Sequence, residues 1–282
     1  MSTVRDPAPG PRPGSSAALV RLLLPAGSYA GRSRALMVRS ATASRGAWPA
    51  FVSGFFEPVF YLLAMGQGLG SMVGALPGPD GTPISYAAFI APGLLAASAM
   101  NGAVFDSTFN VFFKLKYGRI YDAMLATPLG PVDIALGEIG WALVRGGLYA
   151  LGFLAVMGGF GLLVSPWALL ALPAALLVAF AFAAVGMAAT SFMRSWQDFD
   201  LVTLVILPMF LFSTTFYPLS VYPRWLQVVV ECLPLYHAVE LMRGLTTGVV
   251  HVGLLGHLAY FLVMIALGVV VAARRLDALL LR

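Results

Sequence analysis

From Ala174 to Ala189 the chain reads AALLVAFAFAAVGMAA, a run without one charged side chain. The run is too long for an ordinary buried strand, and it lacks the alternation of apolar and polar residues that a membrane barrel strand shows. Within hydrocarbon, a helix satisfies the backbone N–H and C=O groups along its own length. This stretch therefore predicts a membrane-spanning helix.

Similar apolar runs recur along the 282-residue chain, which is 60% hydrophobic and only 10% charged. An ordinary soluble domain carries about 25% charged residues, so this composition predicts an all-α membrane protein without room for a soluble domain. A span needs roughly 20 residues to cross about 30 Å of hydrocarbon. We predict six spans, at residues 49–70, 86–110, 138–164, 167–192, 201–217 and 253–273.

Arginine and lysine set the predicted orientation, because cytoplasmic segments of membrane proteins carry an excess of both. Most of the 17 basic residues fall on one side of the six spans, which predicts a multi-pass plasma (inner) membrane protein with both termini in the cytoplasm. Residues 1–30 are predicted to form a disordered basic tail, and residues 31–282 the transmembrane domain. The basic residues assigned to the cytoplasmic side are Arg5, Arg12, Arg21, Arg32, Arg34, Arg39, Arg45, Lys114, Lys116, Arg119, Arg194, Arg274, Arg275 and Arg282.

Three connecting segments have distinctive patterns. The stretch from Arg32 to Trp48 alternates basic and apolar residues, which suits a helix in the cytoplasmic interface or an ordinary polar lead-in to the first span. The stretch from Ser71 to Ile84 is rich in Gly and Pro and predicts a turn-rich external connection without a site. The connection from Lys114 to Leu136 flanks apolar side chains with charged ones and predicts a short amphipathic helix on the cytoplasmic face, whose alternative is a membrane-surface helix that touches only lipid.

Residues 218–248 are too apolar for a solvated loop and too interrupted by proline for a span. We predict two short external re-entrant helices, at Pro223 to Cys232 and Tyr236 to Thr247, which protein or a water-filled cavity must shield from lipid. The residues assigned to this re-entrant and translocation region are Phe216, Tyr217, Pro218, Trp225, Pro234, His237, Glu240 and Arg243.

Ionisable residues inside spans are costly and usually face protein partners. Glu57, Asp106, Glu138 and Arg145 fall within or at the ends of the first three predicted spans. We predict an ion-pair network that ties these spans together. A proton relay and uncoupled boundary residues are the alternatives.

The sequence carries no recognisable enzyme signature. A Walker phosphate loop needs Gly-Lys-Ser/Thr, and neither Lys114 nor Lys116 follows a glycine. The three histidines lack metal-ligand spacing, and Cys232 is the single cysteine, which excludes an internal disulfide. We therefore expect no catalytic residue, metal or cofactor in this chain, and no nucleic-acid partner.

Several stretches together resemble the ABC-2 type permease family, within it the branch that exports lipooligosaccharides and nodulation factors. They cover the chain from about Trp48 to its end. The stretches are FEPVFYLL at Phe56 to Leu63, FIAPGL at Phe89 to Leu94, YGRIYDAMLATPL at Tyr117 to Leu129, FYPL at Phe216 to Leu219, PRWL at Pro223 to Leu226 and LPLYHAVELMRG at Leu233 to Gly244.

The resemblance implies a permease subunit that pairs with a second copy or a paralogue and with a separate cytoplasmic ATPase holding ATP and Mg²⁺. It implies export of an amphiphile such as a lipid-linked oligosaccharide, a glycolipid or a hydrophobic drug out of the cytoplasm or the inner leaflet, with membrane lipids among the partners. The main alternative is a proton-coupled secondary transporter that uses the intramembrane carboxylates. The resemblance also implies that residues 114–129 are the coupling region that docks on the ATPase. The residues that it assigns to this coupling are Arg119, Tyr121, Asp122, Met124 and Leu125.

Overall fold

The computed structural model describes residues 32–46, 56–78, 81–118 and 120–280. The described elements are α1 (Ser33–Ala43), α2 (56–73, π-helical over Leu62–Leu69), β1 (Ala75–Pro77), β2 (Pro83–Ser85), α3 (Tyr86–Phe105), α4 (Ile120–Leu125), α5 (Pro131–Gly159), α6 (Ala171–Thr190), α7 (Asp198–Phe212), α8 (Arg224–Glu231), α9 (Pro234–Thr247) and α10 (Gly253–Leu280). Short 3₁₀ turns precede α6 at Pro166–Leu170 and α8 at Leu219–Val221. The all-α fold class is confirmed.

Within the part of the chain that the structure describes, four helices are long and apolar enough to cross a membrane: Tyr86–Tyr117, Pro131–Gly159, Pro166–Thr190 and Gly253–Leu280. They correspond to the second, third, fourth and sixth predicted spans. The fifth predicted span is represented by α7, which has 15 residues. Residues 49–55 of the first predicted span lie outside the described chain, and its described part is α2.

The α3 helix forms the centre of the bundle, with almost every side chain from Tyr86 to Val104 buried. It continues beyond Phe105 through two π-helical segments, Asp106–Asn110 and Phe113–Tyr117, in which the hydrogen-bonded turns are wider. Helices α5, α6 and α9 pack on it, and α10 packs on α6, α5 and α9. Because lipid supplies no hydrophobic drive between helices, their association depends on close packing.

Small residues allow that close packing. A Cβ placed on Gly146 of α5 would lie 2.8 Å from the Cβ of Ala179 and 2.9 Å from the carbonyl oxygen of Ala99. A Cβ on Gly268 of α10 would lie 2.8 Å from the backbone of Ala184. Both glycines therefore permit helix–helix distances that any larger residue would increase.

Two helices extend several residues beyond the spans predicted for them. The α5 helix begins at Pro131 and not at residue 138, since proline suits the first helical turn and the Asp133 carboxylate accepts a 3.1 Å hydrogen bond from the Gly130 N–H. The α10 helix continues past residue 273 to Leu280, because Arg274 and Arg275 are good helix formers that carry the helix beyond its apolar stretch.

The connection from Ser71 to Ile84, predicted to be only turns, contains a two-stranded hairpin. Ala75 pairs with Ser85 and Leu76 with Ile84 in antiparallel register. Gly81, with φ of 80°, completes the turn in a conformation that suits glycine. This hairpin is a small addition to the helical fold.

The bundle has two distinguishable ends. We call the end that carries Lys114, Lys116, Arg194, Arg274 and Arg275 the basic end; α1 and α4 lie there. The hairpin and the two short helices α8 and α9 lie at the opposite end. Helices α8 and α9 occupy 224–231 and 234–247, close to the two short helices predicted for residues 218–248.

Candidate coupling site and buried ion pairs

The α4 helix links the ends of α3 and α5 at the basic end. Tyr121 and Met124 point into the protein and are 1% and 7% exposed, whereas Asp122 is exposed and Leu125 is half-buried. Tyr121 and Met124 therefore anchor α4, and their side chains present almost no surface to a partner. Asp122 remains available for contact, and Arg119 lies outside the described residues.

The α1 helix is fastened to the same region. The Arg32 N–H donates a 2.8 Å hydrogen bond to Asp133 Oδ1 of α5, and the Arg32 guanidinium donates to the Pro128 carbonyl at 3.3 Å. Leu36 packs on Gly137, where a Cβ would lie 2.6 Å from the leucine. The amphipathic segment predicted as an interfacial helix is thus a helix packed on α5.

One buried ion pair flanks α4. Lys114 Nζ, at the end of α3, lies 2.6 Å from Glu138 Oε2 of α5, and the Glu138 side chain is 2% exposed. Burial, with the Glu138 carboxylate as the next cause, raises the pKa of Tyr121 well above its ordinary value, so this phenol stays neutral beside the pair. The pair joins the two helices that α4 connects.

A second pair lies further along the same two helices. Arg145 Nε of α5 is 2.8 Å from Asp106 Oδ2 of α3, with side chains 8% and 2% exposed. The Asn110 amide also donates to Asp106, and the Arg145 guanidinium lies over the Phe105 ring at 5.4 Å. Each charge therefore has an opposite charge in contact, as a position within a membrane bundle requires.

Three of the four predicted network residues, Asp106, Glu138 and Arg145, lie in buried ion pairs between the extended α3 helix and α5. Lys114 is a member of these pairs that the sequence analysis did not assign to the network. Glu138 and Arg145 bind different partners across to α3. Glu57 is exposed, and the ion pairs of the described residues do not include it. Lys114 was predicted to lie in the connection after the second span, and the sequence signal for its role is its position eight residues, about two helical turns, beyond Asp106.

At the opposite end, Arg243 of α9 forms a buried junction. Its guanidinium donates 2.6 Å and 2.7 Å hydrogen bonds to Glu240 Oε1 and the Thr214 carbonyl, and it lies 4.2 Å from the centre of the Phe89 ring. Thr214 has a φ of 57°, an unusual conformation for a non-glycine residue, at the break that follows α7. Arg243 thus ties α9 to α3 and to this break.

The other predicted residues of the re-entrant region divide by exposure. Phe216 is buried and accepts, through its carbonyl, a 3.4 Å hydrogen bond from the Tyr86 hydroxyl. His237 Nδ1 lies 2.7 Å from His257 Nδ1 and joins α9 to α10. Tyr217 and Trp225 are exposed, and Pro218 and Pro234 are half-buried. The structure does not gather these side chains into one cleft.

Within the described residues, no group of three or more His, Cys, Asp or Glu side chains has the geometry of a metal site. The Lys114–Glu138 and Asp106–Arg145 pairs each join the extended α3 helix to α5, whereas Arg243 and Glu240 pair within α9. This arrangement can brace α4 and transmit displacement, whereas the described carboxylates do not form a continuous chain.

Known proteins share this sequence pattern over most of the chain. The ABC-2 type transporter family matches residues 32–246. Nodulation protein J of Rhizobium leguminosarum bv. trifolii is 37% identical over 193 residues, covering 68% of this chain and 72% of the relative. Nodulation protein J of Rhizobium meliloti (strain 1021) is 35% identical over 201 residues, covering 70% and 75%. The protein of that name from Bradyrhizobium diazoefficiens is 33% identical over 208 residues, covering 71% and 77%. This chain therefore belongs to the ABC-2 type transporter family, as a membrane permease similar to Nodulation protein J.

Proposed function

We propose that this chain is the permease subunit of an ATP-driven exporter and that a separate ATPase subunit binds it at α4. The observation that carries the proposal is the geometry of α4, a short exposed helix anchored by two buried side chains and flanked by a buried ion pair. ATP and Mg²⁺ belong on the partner subunit, and this chain supplies no catalytic residue.

We propose that the basic end of the bundle faces the cytoplasm, because cytoplasmic segments are rich in Lys and Arg. The basic residues at this end are Lys114, Lys116, Arg194, Arg274 and Arg275. In this orientation α2 and α7 complete six spans with the four long helices. Helices α8 and α9 would enter the membrane from outside, shielded by α3 and α10. A second copy or a paralogue would complete the transporter.

A force applied to α4 would be transmitted directly to the helix bundle. Displacement of α4 moves Tyr121 and Met124, which are packed inside, and the Lys114–Glu138 pair makes α3 and α5 follow. The Asp106–Arg145 pair holds the same two helices together further along. Movement at the basic end is therefore expected to reach the spans as a rigid-body shift.

The proposed substrate is an amphiphile, such as a lipid-linked oligosaccharide, a glycolipid or a hydrophobic drug. The relatives named Nodulation protein J support export of a molecule of this class. The proton-coupled alternative has less support, because Asp106 and Glu138 are each held by a cation within 2.8 Å.

Asp122→Ala tests the proposed ATPase contact. The matched control is Asp200→Ala, since Asp200 is another exposed carboxylate at the basic end but lies on α7. Each variant is co-expressed with an ABC ATPase from the neighbouring reading frame, and the two subunits are co-purified. We expect Asp122→Ala to reduce recovery of the ATPase severalfold, and Asp200→Ala to leave it unchanged.

The same complexes are then reconstituted in lipid vesicles and ATP turnover is measured. Normal recovery and normal turnover with Asp122→Ala would refute the docking site. Failure of any ABC ATPase to associate with the unmodified chain would refute the proposed function itself.

A further inference from the structure

An apolar groove of about 870 Å³ runs along α7 on its bundle side. One wall is α6, with Phe182, Val185 and Ala189, and the other wall is α7, with Val205 and Met209. Side chains of α8 close the groove at the end opposite the basic one. Its volume lies within the roughly 300–1,000 Å³ that is usual for sites that bind small molecules.

The groove exists because α7 stands away from the bundle along its middle. Among its side chains only Phe199 and Met209 are buried, and Leu204 and Val205 are 67% and 64% exposed. Phe199 holds the beginning of α7 by stacking on Phe109, with ring centres 4.2 Å apart. The 15 residues of α7 extend roughly 22 Å, which exceeds the half-thickness of about 15 Å of a bilayer's hydrocarbon.

The groove has a cationic rim at the basic end. Arg194 lies on its lining, in the connection between α6 and α7, and its side chain is exposed. Arg275 of α10 lies 4.2 Å over the ring of Phe192, which also lines the groove. An anionic group at the membrane surface would find two guanidinium groups here.

Asp198 also lies on the rim, but its carboxylate is engaged with the backbone. It accepts hydrogen bonds from the N–H groups of Arg194 and Ser195 at 2.6 Å and 3.1 Å. The described residues place no carboxylate within 4 Å of the Arg194 guanidinium. The Arg194 charge also acts on Asp198, but its exposed guanidinium lies outside the ion pairs of the described residues, so its N–H groups can reach an external partner.

We propose that the groove binds one phospholipid of the bilayer leaflet at the basic end, with its phosphate at Arg194 and one acyl chain between α6 and α7. Charge complementarity selects this occupant, since a phosphodiester matches the guanidinium while an acyl chain matches the uninterrupted apolar lining. The bound lipid would fill the space that separates α7 from the bundle. It would be a resident component of the permease.

Native mass spectrometry of the purified full chain tests the site, with phosphatidylglycerol as the added probe and diacylglycerol as its phosphate-free counterpart. Ala189→Trp places an indole in the groove from an exposed position, and Ala155→Trp is its control at an exposed alanine of α5 that does not line the groove. We expect Ala189→Trp to lower the affinity for phosphatidylglycerol at least about tenfold and Ala155→Trp to leave it unchanged.

Arg194→Gln tests the phosphate contact, and Arg274→Gln is its control because Arg274 is exposed at the same end but does not line the groove. Loss of a charge-assisted contact is expected to lower phosphatidylglycerol affinity about tenfold, whereas diacylglycerol affinity stays the same. Equal losses with Arg194→Gln and Arg274→Gln would overturn the assignment of the phosphate.

A second variant tests whether an acyl chain occupies the groove. If Ala189→Trp fails to fold, Val205→Trp fills the groove from the α7 side and should lower lipid affinity in the same way. Normal lipid binding by a folded groove-filling variant would overturn the proposal. So would disulfide formation between two copies at Val205→Cys in a Cys232→Ala background, because a second copy would then occupy the groove.

Discussion

Replacing Arg145 by methionine is expected to destabilise the bundle by about 3–5 kcal/mol, because the Asp106 carboxylate would stay buried without its cation. The magnitude follows from the geometry of the pair: Arg145 Nε lies 2.8 Å from Asp106 Oδ2, and the side chains are 8% and 2% exposed. Water therefore cannot replace the lost guanidinium. For a chain of this size the change corresponds to a melting temperature lower by roughly 6–20 °C.

The double variant Asp106→Asn with Arg145→Met separates the pair from general disruption. It removes both charges, and a neutral replacement of a buried ion pair is often tolerated. Its melting temperature should therefore lie closer to that of the unmodified chain than either single variant does. Lys116→Met is the control, since Lys116 is an exposed cation on the same helix extension.

The assay is thermal unfolding of the purified chain in one detergent, followed by the signal of tertiary structure. Single variants that melt within about 1 °C of the unmodified chain would refute the energetic role of the pair. A double variant that loses as much as the two single variants together would show that the two residues act independently.

Three other predictions concern packing, titration and topology. Gly146→Ala should lower the free energy of unfolding by about 1–3 kcal/mol, since its Cβ would lie 2.8 Å from the Cβ of Ala179. Gly256→Ala is the control and should be neutral or stabilising, because nothing lies within 4 Å of its Cβ. Equal melting temperatures of the two variants would contradict the packing argument. Because the pKa of Tyr121 is raised in the folded state, its contribution to stability is complete below about pH 10 and is lost as the pH rises through the folded-state pKa. Tyr121→Phe should therefore make the loss of stability at alkaline pH smaller and leave stability at neutral pH unchanged. A reporter that functions only in the cytoplasm should be active when fused at the C-terminus, and activity only of an external reporter would reverse the proposed orientation.

Sequence reasoning worked best where hydrophobicity alone decides the structure. The apolar run from Ala174 to Ala189 lies inside α6, and the short helices α8 and α9 appear close to their predicted positions because Pro223 and Pro234 set where they begin. The α5 helix begins at Pro131, seven residues before the span predicted from residue 138, because hydropathy marks the apolar stretch and not the first turn of the helix. Proline also begins helices, and Asp133 provides the cap.

The candidate site was predictable in its residues but not in its partners. Asp106, Glu138 and Arg145 were identified because charges within spans need compensation. Their pairing depends on how α3 is rotated against α5, and the π-helical segments alter that rotation without an evident sequence signal. The inward direction of Tyr121 and Met124 was equally hidden, since a six-residue helix is too short for its periodicity to define a face.

The π-helical segments of α3 give this helix a way to change its register without coming apart. Each wide turn accommodates one residue more than an α-helical turn, and the two segments lie between the Asp106–Arg145 pair and α4. Conversion of one segment to regular α-helix would advance the following residues by one position, about 100° around the axis. Lys114 would then turn away from Glu138 while Asp106 kept its partner. A change of register in α3 would thus break the Lys114–Glu138 pair and leave the Asp106–Arg145 pair intact.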